Sequence, residues 1–231
     1  MRAIAIITAR GGSKRILKKN IKAFCGRPII AYSIEAAIKS NLFDEVMVST
    51  DDKEVAEIAI SYGAKVPFYR SYENSNDYAT TADVLLEVIE KYEENGDKFD
   101  IVCCIYPTAP LITETVLINA YDNLIKSSAN ALVPVVKFSY PPQRCLCIND
   151  NKLKYKYPEN INKRSQDLEN LYHDAGQFYF VKTKEFKIHK KLVLENTLSY
   201  IMSELEVQDI DNLDDWKIAE LKYNLKQERL K

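Results

Sequence analysis

The chain has 231 residues, 46% of them hydrophobic and 28% charged, enough apolar material for one sizeable folded domain and too much for a disordered polyelectrolyte. A formal net charge of −1 gives no overall field that would gather nucleic acid, so any polyanion site must be local. No apolar run approaches membrane-spanning length and no secretory signal is legible; five cysteines without ligand spacing to the two histidines fit a reducing cytoplasm rather than a structural zinc.

Ile4-Ala5-Ile6-Ile7 reads as a buried first strand. It runs into Ala9-Arg10-Gly11-Gly12-Ser13-Lys14-Arg15-Ile16-Leu17-Lys18-Lys19-Asn20. Glycines free backbone N–H groups to form an anion-binding nest, and the lysines and arginines add full positive charge, which suits a polyphosphate. The bland alternative is a surface turn with solvated lysines. The loop is not a Walker A, because no Gly-Lys-Ser/Thr closes it, and a single glycine pair is not the dinucleotide fingerprint.

Pro28 opens a helix to about Ser40, with Ile30, Ile34, Ala37 and Ile38 at helical spacing. Glu45 to Thr50 is a short strand, Asp51 or Asp52 caps the next helix, and Gly63 ends it. Lys65-Val66-Pro67-Phe68 reads as a third strand, placed on an edge by Pro67. Thr81 to about Glu94 is a helix and Asp100 to Ile105 a continuous apolar strand. Such alternation predicts an α/β fold, a mostly parallel Rossmann-like sheet with helices on both faces. Ligands of these sheets bind at the carboxyl ends of the strands, where the loops from Thr50, Arg70 and Tyr106 would join the basic loop. Thr113 to Ser127 is a further helix and Ala131 to Lys137 a strand. Cys145–Ile148 and Leu153–Tyr157 then form a hairpin that breaks the rhythm, and about 140–171 reads as a β-rich insert on a single domain of residues 1–231. Gln177 to Val181 is a strand, and Asp211 to Lys231 a terminal helix.

Asp209-Ile210-Asp211 puts two carboxylates on one face of an extended segment, where they repel unless a cation lies between them. Mg2+ is the natural candidate, held by these two and by substrate phosphates. Taken alone, the pair reads better as a helix cap; beside a polyphosphate loop the metal reading is preferred.

Ala-Arg-Gly-Gly-Ser-Lys-x4-Lys-Asn resembles the signature loop of the CMP-sialic acid synthetase family, cytidylyltransferases that load nine-carbon acidic sugars onto CMP. That family usually has Pro where this chain has Thr8. The resemblance extends to Asp209-x-Asp211 as metal ligands and to an arginine followed eleven residues on by Ser or Thr, matched by Arg70 and Thr81 at the nucleotide. Tyr106-Pro107-Thr108-Ala109-Pro110 resembles the family's Gln-Pro-Thr-Ser-Pro turn, with Tyr106 replacing a Gln that lies near the sugar; strand-end packing is an equal reading of Tyr106. Where sialic acid members read Asn-Gly-Ala-Ile-Tyr, this chain reads Ala175-Gly176-Gln177-Phe178-Tyr179, which with His173-Asp174 is similar to the pseudaminic acid branch.

The resemblance implies an Mg2+-dependent transfer from CTP to pseudaminic acid, with N-acetylneuraminic, legionaminic or 3-deoxy-octulosonic acid as rival acceptors and a non-catalytic nucleotide-binding module as the reading of another class. Arg10, Lys14 and Lys19 are assigned to the triphosphate, aided by backbone N–H groups of Gly11, Gly12 and Ser13, with Asn20 on ribose or phosphate. Asp211 is the candidate to assist deprotonation. Arg164 suits the sugar carboxylate. Gln166, Asp174 and Gln177 suit its polar substituents; Tyr179 is a wall of the sugar site or core. The resemblance further implies a homodimer through the insert, no membrane or nucleic-acid partner, and a product used in surface glycans or flagellin glycosylation.

Overall fold

The computed structural model describes residues 1–229. Its centre is β1 (Ala3–Thr8), whose residues are buried on both faces. Ala3, Ala5 and Ile7 point one way, against Ile30, Ile34 and Ala37 of α1 (Ile29–Lys39), Val55 and Ala59 of α2 (Lys53–Ser61), and Leu117, Ala120 and Leu124 of α4 (Glu114–Lys126). Ile4 and Ile6 point the other way, against Leu85, Val88 and Ile89 of α3 (Thr81–Glu94) and Phe186 of α5 (Thr183–His189). The period-two alternation of a strand meets the helical stripes on both sides, as a doubly covered sheet requires.

On one side β1 pairs in parallel with β4 (Glu45–Ser49), and on the other with β5 (Ile101–Ile105). The sheet continues from β5 through β10 (Phe178–Lys182) and β6 (Ala131–Lys137) to β11 (Thr197–Ile201). β10 is antiparallel to both neighbours, whereas β11 is parallel to β6. The sheet is therefore mixed, with β4, β1, β5, β6 and β11 running one way. β9 (Tyr172–Asp174) pairs with the far half of β6 and is separated from β10 by Ala175-Gly176-Gln177, where Gly176 takes φ +61°. β9 and β10 run the same way along β6, and the break between them lets the start of β10 lie beside the end of β5: the Tyr106 N–H donates to the Gln177 carbonyl at 2.9 Å.

Local chemistry sets the boundaries. Asp52 caps α2 by accepting from the Val55 N–H at 3.1 Å, and Thr80 with Asp83 forms a reciprocal capping box on α3. The anticipated strand at Lys65–Phe68 is a single bridge between Lys65 and Met47, because Pro67 has no N–H with which to extend the ladder. β9, α5 and β11 were not anticipated: each is short, and none has a long periodic stretch behind it.

Between β6 and β9 the chain leaves the sheet, and the Phe138 N–H on the Leu171 carbonyl closes the excursion at 3.0 Å. Within it β7 (Leu146–Asn149) and β8 (Lys152–Tyr155) pair only with each other, through a turn in which Asp150 and Asn151 both take positive φ. The terminal helix α6 (Leu213–Arg229) brings Trp216 and Ala219 against Ile16, Ile29 and Phe24, the last in a small hairpin of β2 (Ala23–Phe24) and β3 (Arg27–Pro28). The predicted end of this helix at Leu230 and Lys231 lies outside the described residues.

Candidate active site

The parallel strands deliver the basic loop after β1, the Thr50–Asp52 turn after β4 and the Tyr106–Pro110 turn after β5 to one edge of the sheet. A cleft of about 460 Å3 opens there, with Arg10, Ser13, Lys14, Arg15, Lys19 and Asn20 on one side and Tyr106, Pro107 and Thr108 on the other. A second hollow of about 240 Å3 adjoins it, lined by Arg70, Asn74, Thr80 and Thr81. Thr8, Arg10 and Asp77 line both.

The loop is held from within. Asn20, buried, donates from Nδ2 to the Arg10 carbonyl at 2.8 Å. The Gly11 N–H goes to Asp51 Oδ1 at 2.9 Å, and the Ser13 N–H to the Gly11 carbonyl at 2.9 Å. These two donors, expected to face phosphate, are engaged by the protein itself. A Cβ on Gly11 would lie 2.7 Å from the Asp52 carboxylate, so only glycine lets the loop approach the α2 cap, whereas a Cβ on Gly12 would meet nothing.

Arg10, Lys14, Arg15 and Lys19 line the cleft, Lys18 does not, and each of the five has an internal partner. Arg10 Nη1 meets Asp77 Oδ1 at 2.7 Å and the Asn76 carbonyl at 3.1 Å; Lys14 pairs with the same Asp77. Arg15 pairs with Asp211 at 2.8 Å, and Lys18 with Glu54. Lys19 is half-buried and donates to the Ile210 carbonyl at 2.7 Å; burial pushes its ammonium below the usual lysine value, against the pull of Asp211 and Asp209. Asp77 and Arg15 were not among the expected site residues. An exposed aspartate in a polar loop, or one more cation in a basic run, carries no distinguishing signal in sequence.

Arg70 is almost wholly buried and donates to Ser49 Oγ at 3.0 Å and to the Ser49 carbonyl at 2.6 Å, pinning the end of β4 while one side faces the smaller hollow. Thr81, at the first turn of α3, lies in the same hollow and bonds to Tyr106 Oη at 3.3 Å. The structure thus places Arg70 and Thr81 together, as expected.

The supposed sugar residues divide. Tyr106 lines the larger cleft and meets the Tyr179 ring edge-on at 5.5 Å. Tyr179 is buried and donates to both oxygens of Asp174, at 3.0 and 2.8 Å. Asp174 also accepts the Gly176 N–H at 2.8 Å, so its carboxylate braces the break between β9 and β10. Gln177 is fully buried; its Nε2 faces the carbonyls of Ala175, Gly176 and Gln208, so the amide anticipated on a sugar substituent instead ties β10 to the segment before Asp209. Arg164 lies away from the cleft, exposed, and forks onto Asp167 at 2.8 and 3.2 Å. Gln166 lines a separate hollow between the excursion and Phe138. Within one chain neither meets the nucleotide edge.

Ile210 is fully buried beneath α6, which turns the neighbouring Asp209 and Asp211 outward. Burial first, and then Asp211, pushes the Asp209 carboxyl above its ordinary value. Asp215 caps this corner, accepting from the N–H groups of Asp211 and Asn212 at 2.9 and 3.0 Å. Two repelling oxygen donors suit a hard divalent ion, which would need its remaining ligands from outside the protein. Among the described residues no three acidic, histidine or cysteine side chains gather closely enough to hold a metal unaided.

Residues 4–228 match the cytidylyltransferase family. The chain belongs to that family. Among its relatives, a pseudaminic acid cytidylyltransferase of Campylobacter jejuni subsp. jejuni serotype O:2 is 41% identical over 229 residues, covering 99% of both chains. A CMP-N,N'-diacetyllegionaminic acid synthase of Legionella pneumophila subsp. pneumophila is 32% identical over 237 residues, covering all of both. The fold resembles a CMP:2-keto-3-deoxy-manno-octonic acid synthetase solved with CTP, with a TM-score of 0.72, 18% identity, and 99% and 100% of the two chains covered. The basic loop and the Arg70/Thr81 hollow lie together at the carboxyl edge of the parallel strands.

Proposed function

We propose that this cytidylyltransferase joins CTP to pseudaminic acid, releasing pyrophosphate and CMP-pseudaminic acid, with Mg2+ at Asp209 and Asp211. The observation that carries the reading is the Arg15–Asp211 contact at 2.8 Å, which brings the carboxylate pair to the rim of the cation-lined cleft. The nucleoside fits the smaller hollow of Arg70, Thr80 and Thr81, with its phosphates running past Arg10 and along Lys14, Arg15 and Lys19. The sugar then lies toward Tyr106, and its anomeric hydroxyl attacks the α-phosphorus. Charge grows on phosphoryl oxygens in that transition state, and Lys19, fixed on Ile210, is an oriented donor for it. Bound Mg2+ would supply Lewis-acid stabilisation of phosphate charge. Asp211 is positioned to accept the hydroxyl proton.

Two further features belong to the same reading. The hairpin presents the cross-strand pairs Leu146–Tyr155 and Ile148–Leu153 as an exposed apolar face, with Ile148 at 70% exposure, and this suits a homodimer. In such a dimer Arg164 and Gln166 would serve the neighbouring copy's sugar site. Five free thiols, Cys103 and Cys104 among them in the core, fit work in a reducing cytoplasm, and flagellin or surface glycans fit as the destination of the product.

The test is pyrophosphate release with CTP and Mg2+, offering pseudaminic, N,N'-diacetyllegionaminic and N-acetylneuraminic acids in parallel. Release with pseudaminic acid alone is expected. Release only with another of the three moves the acceptor and keeps the chemistry; CTP binding without release on any of them overturns the catalytic reading.

A further inference from the structure

Asp77 stands between the two hollows and is a wall of both. Its carboxylate takes Arg10 Nη1 on one oxygen at 2.7 Å and the Lys14 ammonium on the other. A second contact from Arg10, to the Asn76 carbonyl at 3.1 Å, fixes the same guanidinium. Two cations of the basic loop therefore converge on one internal anion at the mouth of the phosphate cleft. Lys14 and then Arg10 hold the Asp77 carboxyl below its ordinary value.

The segment bearing Asp77 has a firm base and an open tip. Ser71 donates to Glu87 from its N–H at 2.8 Å and its hydroxyl at 3.0 Å, and Asn74 adds a third bond at 2.6 Å. Beyond Asn74 the tip is tied to distant chain by the contacts of Asn76 and Asp77 with Arg10 and Lys14, and its other bonds are local: Asn76 Oδ1 accepts from the N–H groups of Tyr78 and Ala79. Tyr78 is 93% exposed. The tip can thus shift without breaking the base.

Resting on the assignment of this cleft to a nucleoside triphosphate, we propose that Asp77 is an internal surrogate for substrate phosphate, holding Arg10 and Lys14 across the cleft of the empty enzyme and exchanged for phosphate oxygens when the triphosphate enters. Crowded cations repel, and a carboxylate between two of them keeps them extended toward the cleft. Entry of the polyanion then converts two internal pairs into two pairs with the ligand. The exchange opposes binding by the strength of the pairs it breaks.

The experiment is calorimetric binding of CTP, and separately of inorganic tripolyphosphate, without sugar and at low ionic strength, to the wild type, Asp77→Asn and Glu73→Gln. Glu73 lies exposed in the same segment, so its substitution removes the same unit of charge without touching Arg10 or Lys14. Asp77→Asn is expected to bind both ligands about fivefold more tightly, with the gain closing as salt rises, and Glu73→Gln to match the wild type. Equal or weaker binding by folded Asp77→Asn, checked by its melting curve and by Asp77→Ser, overturns the proposal. So does equal tightening by Glu73→Gln, which would make the effect one of net charge. A wild type that binds tripolyphosphate and not CTP, or neither ligand, overturns the assignment of the cleft itself, an outcome distinct from a failure of Asp77 alone.

Discussion

Lys19 reaches across 191 residues of sequence to donate from Nζ to the Ile210 carbonyl at 2.7 Å. One side chain thus ties the basic loop to the corner that bears Asp209 and Asp211. Lys19→Ala should lower kcat and kcat/KM together, by about 100-fold or more, because it removes both a donor to the transition state and the strut beneath the carboxylates. Steady-state rates of pyrophosphate release check this, and a variant with near-normal turnover would remove Lys19 from the mechanism. Asp211→Asn should likewise lower turnover and shift the Mg2+ concentration for half-maximal rate upward.

The base of the Asp77 segment rests on Glu87. Burial opposes charge on this carboxylate, but the bonds from Lys91, Asn74 and Ser71 outweigh it and hold the pKa below the ordinary value. Glu87→Ala should cost about 2 kcal/mol, since several donors lose their acceptor at once. A depressed carboxyl stabilises the fold above the unfolded pKa of about 4.3 and loses that contribution as pH falls through the folded value. Melting curves should therefore separate wild type from variant at pH 7, and the gap should narrow below about pH 4.

Tyr179→Phe deletes the hydroxyl that Asp174 accepts at 2.8 Å and leaves the ring packed on Tyr106. A stability loss of about 1 to 2 kcal/mol is expected. The half-saturating sugar concentration should rise while CTP affinity, measured by calorimetry, stays put. An equal loss of CTP affinity would show that this pair of tyrosines serves the nucleotide as well.

Charging the exposed hairpin face with Ile148→Lys and Leu153→Lys together should convert a dimer to a monomer in sedimentation, with CTP binding per chain unchanged. Sedimentation of the wild type as a monomer at micromolar concentration would exclude this face as the dimer contact.

Helices α2, α3 and α4 were legible because each carries a periodic apolar stripe behind a capping side chain, as Thr80 provides for α3. The short elements β9 and β11 owe their form to partners on β6 that no local pattern announces. The same division runs through the site. Charge density marked the basic loop, and spacing marked Asp209 with Asp211. What each polar group bonds to depends on distant chain: Asp77 closing on Lys14 from 63 residues away, or Gln177 turning from the cleft to the Gln208 carbonyl. Residue type named Gln177 and Asp174 as sugar ligands, whereas packing uses both to shape the backbone around Gly176.

The packing of α6 under the basic loop has a consequence for synthesis. Ile16 and Phe24 are made almost 200 residues before Ile210, Trp216 and Ala219, which seat them. At about 5–20 residues per second, β1 and the loop exist for many seconds without the floor that positions Lys19. A nascent chain can gather the helices around β1 and still hold no finished cation-lined cleft. The cleft is thus completed only when α6 has been made, and a chain cut short before Trp216 would keep most of its sheet and lack the floor of that cleft.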